Sequence, residues 1–265
     1  NGGEITNNQA KYDGGGVTVY DGGSFTMNGG TISGNTAGRA GGGVAVCLYD
    51  YLSNSNSFTM NNGTISGNQA GQYGGGVFYK GYTDNSFIMN NGLITGNICG
   101  YNTYGSGGGG VYAKTDSNAV VMIGGSSKII DNYERRDGVD SLNNLYLYLT
   151  KLTILDSFSG SIGLSLFYSP VKGSPRDLTN YTSADYSRYF YSDNPAFEVI
   201  NTGSDNEQYL QLQVMHDHEW SQDYRSDDTY HWHTCTQTGC TAEDTRQEHV
   251  SEEREVVIPP GYFQD

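Results

Sequence analysis

The chain has 265 residues, of which 38 are Gly and 22 Tyr, with 14 Lys+Arg against 29 Asp+Glu and a formal net charge of −15. Abundant Gly and Tyr beside few Leu or Ala argue against a helical protein and for many short strands joined by tight turns. The negative charge repels a phosphate backbone, which disfavours nucleic acid and anionic membrane as partners, and no apolar run approaches the roughly 20 residues that span a bilayer, so no membrane insertion by this segment is expected.

In chain order, the phrase NGGEITNN (1–8) returns as NGGTISGN (28–35), NNGTISGN (61–68), NGLITGN (91–97) and a degenerate GSSKIIDN (125–132). The closing residues Asn8, Asn35, Asn68, Asn97 and Asn132 are 27, 33, 29 and 35 residues apart. In step with them, GGGV begins at 14, 41, 74 and 108, and SFTM, SFTM and SFIM begin at 24, 57 and 86. Each piece alternates apolar and polar residues, which is strand periodicity. Three short strands per turn of about 30 residues predict an all-β fold, a right-handed parallel β-helix whose coils stack and pair through the main chain. The inward ladders are then Val17, Val44, Val77 and Val111; Phe25, Phe58 and Phe87; and Ile5, Ile32, Ile65 and Ile94. Ala10, Ala37, Ala70 and Cys99 share the position after the closing Asn, so Cys99 reads as a small buried hydrophobe. The GGG runs recur in every coil with no following Lys, which makes them turns rather than a phosphate loop.

The GGGV and F-T-M-N motifs (Phe25–Asn28, Phe58–Asn61) resemble the GGA[ILV] and FxxN repeats of polymorphic outer-membrane and adhesin-like β-helix proteins, with a third Gly where those have Ala. That resemblance covers residues 1–135 and implies a secreted or cell-surface bacterial protein, adhesive toward a host surface protein or glycan. Asn1 falls in mid-coil, so a monomeric fragment of a longer chain is expected. Residues 136–214 are similar to the closing coils of large surface proteins of Gram-positive gut bacteria; they keep strand alternation at Leu145, Leu147 and Leu149 and at Ile154, Ile162, Leu164 and Leu166, while 172–188 reads as a loop. The β-helix is expected to end near 214, with 215–265 a separate acidic Cys/His module carrying twelve Asp+Glu against three Arg.

Two rows are candidates for ligand binding. Tyr20, Tyr49, Tyr79 and Tyr112 lie near the end of the same strand in successive coils, where exposed rings can stack on sugars or, alternatively, stabilise neighbouring coils. Asp21, Asp50, Asp84 and Asp116 follow the same strand; stacked, they can bind calcium or substrate, and singly they cap turns. No unit carries the paired carboxylates of glycoside hydrolysis. A non-catalytic stalk or adhesin-like module is therefore expected, with a polysaccharide lyase or glycosidase as the alternative and a zinc-stabilised interaction module on a β-helix spacer as a third reading.

The zinc reading comes from HWHTCTQTGCTAEDTRQEH (231–249). On a strand His231, His233 and Cys235 face one way, so His233 and Cys235 can share a metal, Cys240 returns after a four-residue turn and His249 completes a structural Cys₂His₂ set, with His231 or His218 as alternates. The stretch resembles the HWHxC…GC…H repeats of Gram-positive surface proteins. A Cys235–Cys240 disulfide with solvated histidines is the competing arrangement.

Overall fold

The structure, a computed structural model, describes residues 2–46, 55–81, 84–100, 107–115, 119–155, 157–204, 207–215, 221–223, 225–227, 230–234, 236 and 247–248. The chain divides into two units, Asn1–Met215 and His216–Asp265.

The first unit is a parallel β-solenoid. Its first face carries Val17–Val19, Val44–Val46, Val77–Gly81, Val111–Thr115 and Leu145–Tyr148, each paired in parallel with the next. On the second face Phe25, Phe58 and Phe87 stand in register, followed by Val121 and Leu152. On the third, Ile5, Ile32, Ile65, Ile94 and Ile129 do the same. A short fourth side of mostly two-residue strands stacks Ala10, Ala37, Ala70 and Cys99, with Glu134 next in the column. All the expected ladders form, because a period of two puts one apolar set inside only in this register. Phe58 and Phe87 are fully buried, and the three rings stack at 5.4 and 5.5 Å with interplanar angles of 16° and 15°.

The corners follow from side-chain size. The first Gly of each GGG run has φ between +60° and +70°, a left-handed conformation that favours glycine. The third Gly (Gly16, Gly43, Gly76 and Gly110) passes beside the buried asparagines: a Cβ there would lie 2.6–2.7 Å from a backbone carbonyl and 2.7–3.2 Å from an asparagine amide nitrogen. Alanine, which the resembling repeats carry at this position, would clash with the carbonyl and press on the amide.

Those asparagines form a continuous internal ladder. The backbone N–H and the Nδ2 of Asn8 both donate to Oδ1 of Asn35, at 2.9 Å each. Asn35 does the same to Asn68, Asn68 to Asn97, and Asn97 to Asn132, at 2.8–3.1 Å. From Asn35 onward each Nδ2 also donates to the carbonyl of an isoleucine in the preceding coil, Ile5, Ile32, Ile65 and Ile94 in turn, which satisfies the amide fully inside the stack.

After Asn132 the regular coil changes. Tyr133–Arg136 turns back on Val139–Leu142 as an antiparallel hairpin. Asn144 then takes the next ladder place, accepting from Asn132 at 2.9 and 3.1 Å. Ser161–Leu166 bridges two faces: Ile162 pairs with Ile129 and Leu164 with Leu145. Phe190–Ser192 is the last strand in the parallel stack. The expectation of coils to residue 214 is corrected here, because Phe197–Ser204 and Glu207–Val214 pair antiparallel, with Arg176–Asp177 on their edge. Only two residues separate these strands, which suits a hairpin, whereas a parallel pair needs a crossover of a dozen or more. In the second unit Tyr230–Trp232 pairs antiparallel with Arg225–Ser226 and Gln247–Glu248.

Candidate binding surface

The inward side of the first face is aliphatic except at Tyr79, and the alternate residues point outward. In the strands starting at Val77, Val111 and Leu145, the outward position after the first residue is Phe78, Tyr112 and Tyr146, and these three are in register. Their rings stack in sequence, Phe78 on Tyr112 at 5.4 Å and Tyr112 on Tyr146 at 5.6 Å, with Tyr73 against Tyr112 at 4.9 Å. Two residues further along the strands is a second outward column, Lys80, Lys114 and Tyr148. The Lys114 ammonium lies 4.4 Å from the centre of the Tyr148 ring, and Tyr148 packs on Phe167 at 4.1 Å. The surface is graded in exposure: Tyr112 is 7% exposed, whereas Phe167 and Tyr168 are 40% and 54% exposed. Burial among neighbouring rings raises the Tyr112 hydroxyl pKa. The Tyr146 hydroxyl is pushed up to about 12, first by burial and then by the Glu134 carboxylate. Both stay neutral hydrogen-bonding groups at ordinary pH.

The row ends at a cavity of about 370 Å³. Beyond Tyr146 the outward column holds Ser165, a small residue. The cavity is lined by Glu134, Arg136 and Asn143 from the hairpin and the turn after it, by Tyr146 and Ser165 from the first face, and by Phe197 from the closing antiparallel sheet. Its origin is topological. Glu134 occupies the place after Cys99 in the small-residue column, and the hairpin replaces the short side that would otherwise continue it. Glu134 is 6% exposed; its Oε1 accepts from Arg136 Nε at 2.8 Å, and its Oε2 from Asn143 Nδ2 at 3.2 Å.

The expected tyrosine row is corrected by register. Tyr20 lies past its strand and is 59% exposed. Tyr79 is fully buried, paired with Val46 on one side and Ala113 on the other. Tyr112 alone of the described three belongs to the outward row, and Tyr49 lies outside the described residues. Tyr20, Tyr79 and Tyr112 stand three, two and one positions after their valines, so a shared residue type does not keep them on one face. Phe78, Tyr146 and Tyr148 are marked as outward only by parity counted from Val77 and Leu145. Asp21 and Asp84 are exposed at left-handed turn positions with φ of 53° and 59°, three residues before Ser24 and two before Ser86, so they do not form one column. Asp50 and Asp116 lie outside the described residues.

Of the zinc candidates, His231 and His233 are described and half-buried; His218, Cys235, Cys240 and His249 lie outside the described residues. Cys99 is buried in the alanine column, where burial pushes its thiol pKa well up, as suits an inert core position. Comparison with protein-family models, with curated proteins and with solved structures finds no match.

Proposed function

We propose that the protein is a non-catalytic, extracellular solenoid module that binds glycan chains along the outer aromatic row of its first face. The observation that carries this is the run of stacked outward rings, Phe78, Tyr112 and Tyr146, flanked by Tyr148 and Phe167. Rings stacked on one another cover each other's faces and hold the surface rigid, so the platform for the apolar side of a sugar ring is offered by the exposed Phe167 and Tyr168 beside the row, with tyrosine hydroxyls adding hydrogen bonds at the rim. The parallel stack holds these rings at fixed spacing, so little ordering entropy is lost on binding. Binding is favoured over catalysis because the two described aspartates of the expected row stand at different turn positions, whereas glycoside hydrolysis needs two carboxyl groups at a set separation across one bond. The GGGV and FxxN motifs support secretion or display on a bacterial surface. A glycan array probed with the wild-type chain and with a Tyr148→Ala/Phe167→Ala double variant tests this: binding weakened at least tenfold in the variant is expected. Product release from a bound polysaccharide would replace this reading with the enzymatic one.

For the second unit, a zinc-stabilised fold remains the reading we favour. The antiparallel pairing of His231 with Gln247 supports it, because it sets the His231–His233 segment beside the one that leads directly to His249 in sequence. Native mass spectrometry is expected to show one zinc per chain, lost with chelator; a mass two hydrogens below the reduced chain, with no zinc, would indicate the disulfide instead.

A further inference from the structure

We infer that the cavity at the end of the aromatic row is a subsite for the terminal ring of a neutral glycan chain, so that the protein binds chain ends rather than chain interiors. This rests on the glycan reading above and adds where the chain is anchored and which part of it is recognised.

Charge selects a neutral ligand. The lining contains one carboxylate and one guanidinium, Glu134 and Arg136, and they are paired with each other at 2.7 Å. An acidic sugar would meet the field of a chain with net charge −15, and a cation would have to displace Arg136 from Glu134. A polyhydroxyl ring needs neither change. Asn143 and Arg136 fix the Glu134 carboxylate in orientation, and such planar, pre-positioned groups suit pairs of adjacent sugar hydroxyls. The Tyr146 and Phe197 rings line the same space and offer contact for the C–H side of a pyranose.

Size and topology select the end. At about 370 Å³ the cavity is near the lower limit of small-molecule sites, roughly 300–1,000 Å³, which suits one ring better than a run of them. Tyr146 belongs to both the row and the cavity, so a chain lying along the outer edge of the row delivers its last unit there. Past Ser165 the parallel stack continues only as Phe190–Ser192 and then gives way to the antiparallel closing sheet, whose Phe197 and Leu212 line the cavity; among the described residues no aromatic side chain pairs with the outward column beyond Ser165.

The test uses the full chain and calorimetric titration with linear neutral hexasaccharides of glucose, mannose and N-acetylglucosamine, together with cyclic glucose oligomers, which have no ends. Three variants are compared. Ser169→Trp adds bulk at an exposed lining position and fills the cavity with little burden on folding; Glu134→Gln removes the central carboxylate; Tyr148→Ala/Phe167→Ala damages the flank of the row. The expected result is binding of at least one linear hexasaccharide, no binding of its cyclic counterpart where one exists, and a loss of tenfold or more in both Ser169→Trp and Glu134→Gln with unchanged thermal melting of Ser169→Trp. If no hexasaccharide binds the wild-type chain, the glycan reading and this inference both fall. If a hexasaccharide binds and Tyr148→Ala/Phe167→Ala weakens it while Ser169→Trp leaves it unchanged, or if the cyclic oligomer binds equally well, the end-recognition inference alone is overturned.

Discussion

The coils up to residue 132 and the segment after it solve the same packing problem with different means. In the first region most levels repeat the residue of the level before: Phe on Phe as far as Phe87, Ile on Ile, Asn on Asn. In the second the columns continue but identity lapses after one further level. Ile129 is followed by Ile162 and then Phe190, and the asparagine ladder runs from Asn132 through Asn144 to Asp193. The aromatic packing changes too, from near-parallel stacking of Phe25, Phe58 and Phe87 to edge contacts of Phe158 with Tyr186 and Tyr189 at 71° and 80°. Parallel stacking needs coils of the same shape. Where the coils lose that regularity, the core closes with rings meeting edge to face, an arrangement that aromatic quadrupoles also favour.

The two regions differ most at their core rings. Phe58→Ala is expected to cost about 3–5 kcal/mol, since the ring is fully buried and stacked on both sides. Phe158→Ala, 2% exposed, is expected to cost a similar amount, but with a different pattern. In a stack of nearest-neighbour contacts, removing Phe58 weakens the levels on both sides, while removing Phe158 releases the closing segment first. Hydrogen exchange resolves the two: uniform loss of protection across 24–95 for the first variant, and loss confined to about 150–192 for the second. Uniform loss in both would mean that the stack unfolds as one unit and that the two regions are not separable.

Next in size is the ladder. Asn97→Ala removes the acceptor of both the Asn68 backbone N–H and its Nδ2, two buried donors, for an expected cost of about 2–4 kcal/mol. Asn8→Ala at the exposed first level removes a donor only, and water can replace it, so about 1 kcal/mol or less is expected. Chemical denaturation of the two variants checks the ratio; equal losses would show that the ladder contributes through local turns instead of along the stack.

The ladders were legible in the sequence because their signal is redundant: the Val, Phe, Ile, Ala and Asn columns each recur at the same place in the unit, and any one predicts the others. The outward row was only partly legible. Its residues, Phe78, Tyr112 and Tyr146, differ in type and their third strand, LYLY, carries no GGGV before it, so parity counted from Val77 and Val111 was the available signal. The cavity was not legible at all. It is bounded by non-repeated residues from the hairpin, the first face and the closing sheet, and it exists because a short side is replaced at Glu134, which no pattern in the column Ala10, Ala37, Ala70 and Cys99 announces. The antiparallel Phe197–Val214 pair was misread for a related reason: strand alternation reveals a strand but not the direction of its partner.

At the last ladder place an acid stands instead of an amide, and a smaller effect is expected there. Asp193 accepts from the Asn144 backbone N–H at 2.7 Å, from its Nδ2 at 2.5 Å, and from the Ser165 hydroxyl at 2.8 Å. An ionised carboxylate is an acceptor only, so it ends a chain of donors without requiring a further acceptor of its own. Asp193→Ala is expected to cost about 1–3 kcal/mol through the orphaned Asn144 groups. Burial nevertheless raises the Asp193 pKa, against the lowering effect of those three hydrogen bonds. With the folded value above the unfolded one, this group favours the folded state most below the unfolded pKa of about 3.9, and that contribution is lost as pH rises through the folded value. Asp193→Asn keeps the acceptor and abolishes the titration. The stability of wild type minus that of Asp193→Asn is therefore expected to fall as pH rises above about 4 and then to level off. A flat difference would mean that the hydrogen bonds offset the burial fully.

The smallest expected change falls within the repeat region itself. Tyr79 is the one ring in its inward column, between Val46 and Ala113, and it fills the space that its small neighbour at 113 leaves. Burial pushes the hydroxyl pKa well above its ordinary value, and the Val120 amide that it approaches is already donated to the Asn85 carbonyl. The hydroxyl makes no hydrogen bond of standard geometry among the described residues. A buried polar group without a partner carries its desolvation cost uncompensated, so Tyr79→Phe is expected to leave stability unchanged or to raise it by about 1 kcal/mol, with the aromatic contact to Phe87 at 6.0 Å retained. Tyr79→Val, which restores the residue type of Val19 and Val46, is expected to destabilise, because the ring volume is lost while Ala113 remains beside it. Thermal melts of the two variants separate these contributions. A loss of more than about 1 kcal/mol in Tyr79→Phe would show that the hydroxyl does hold a partner, and that even an irregular rung in a repeated column is specified by hydrogen bonding and not by volume alone.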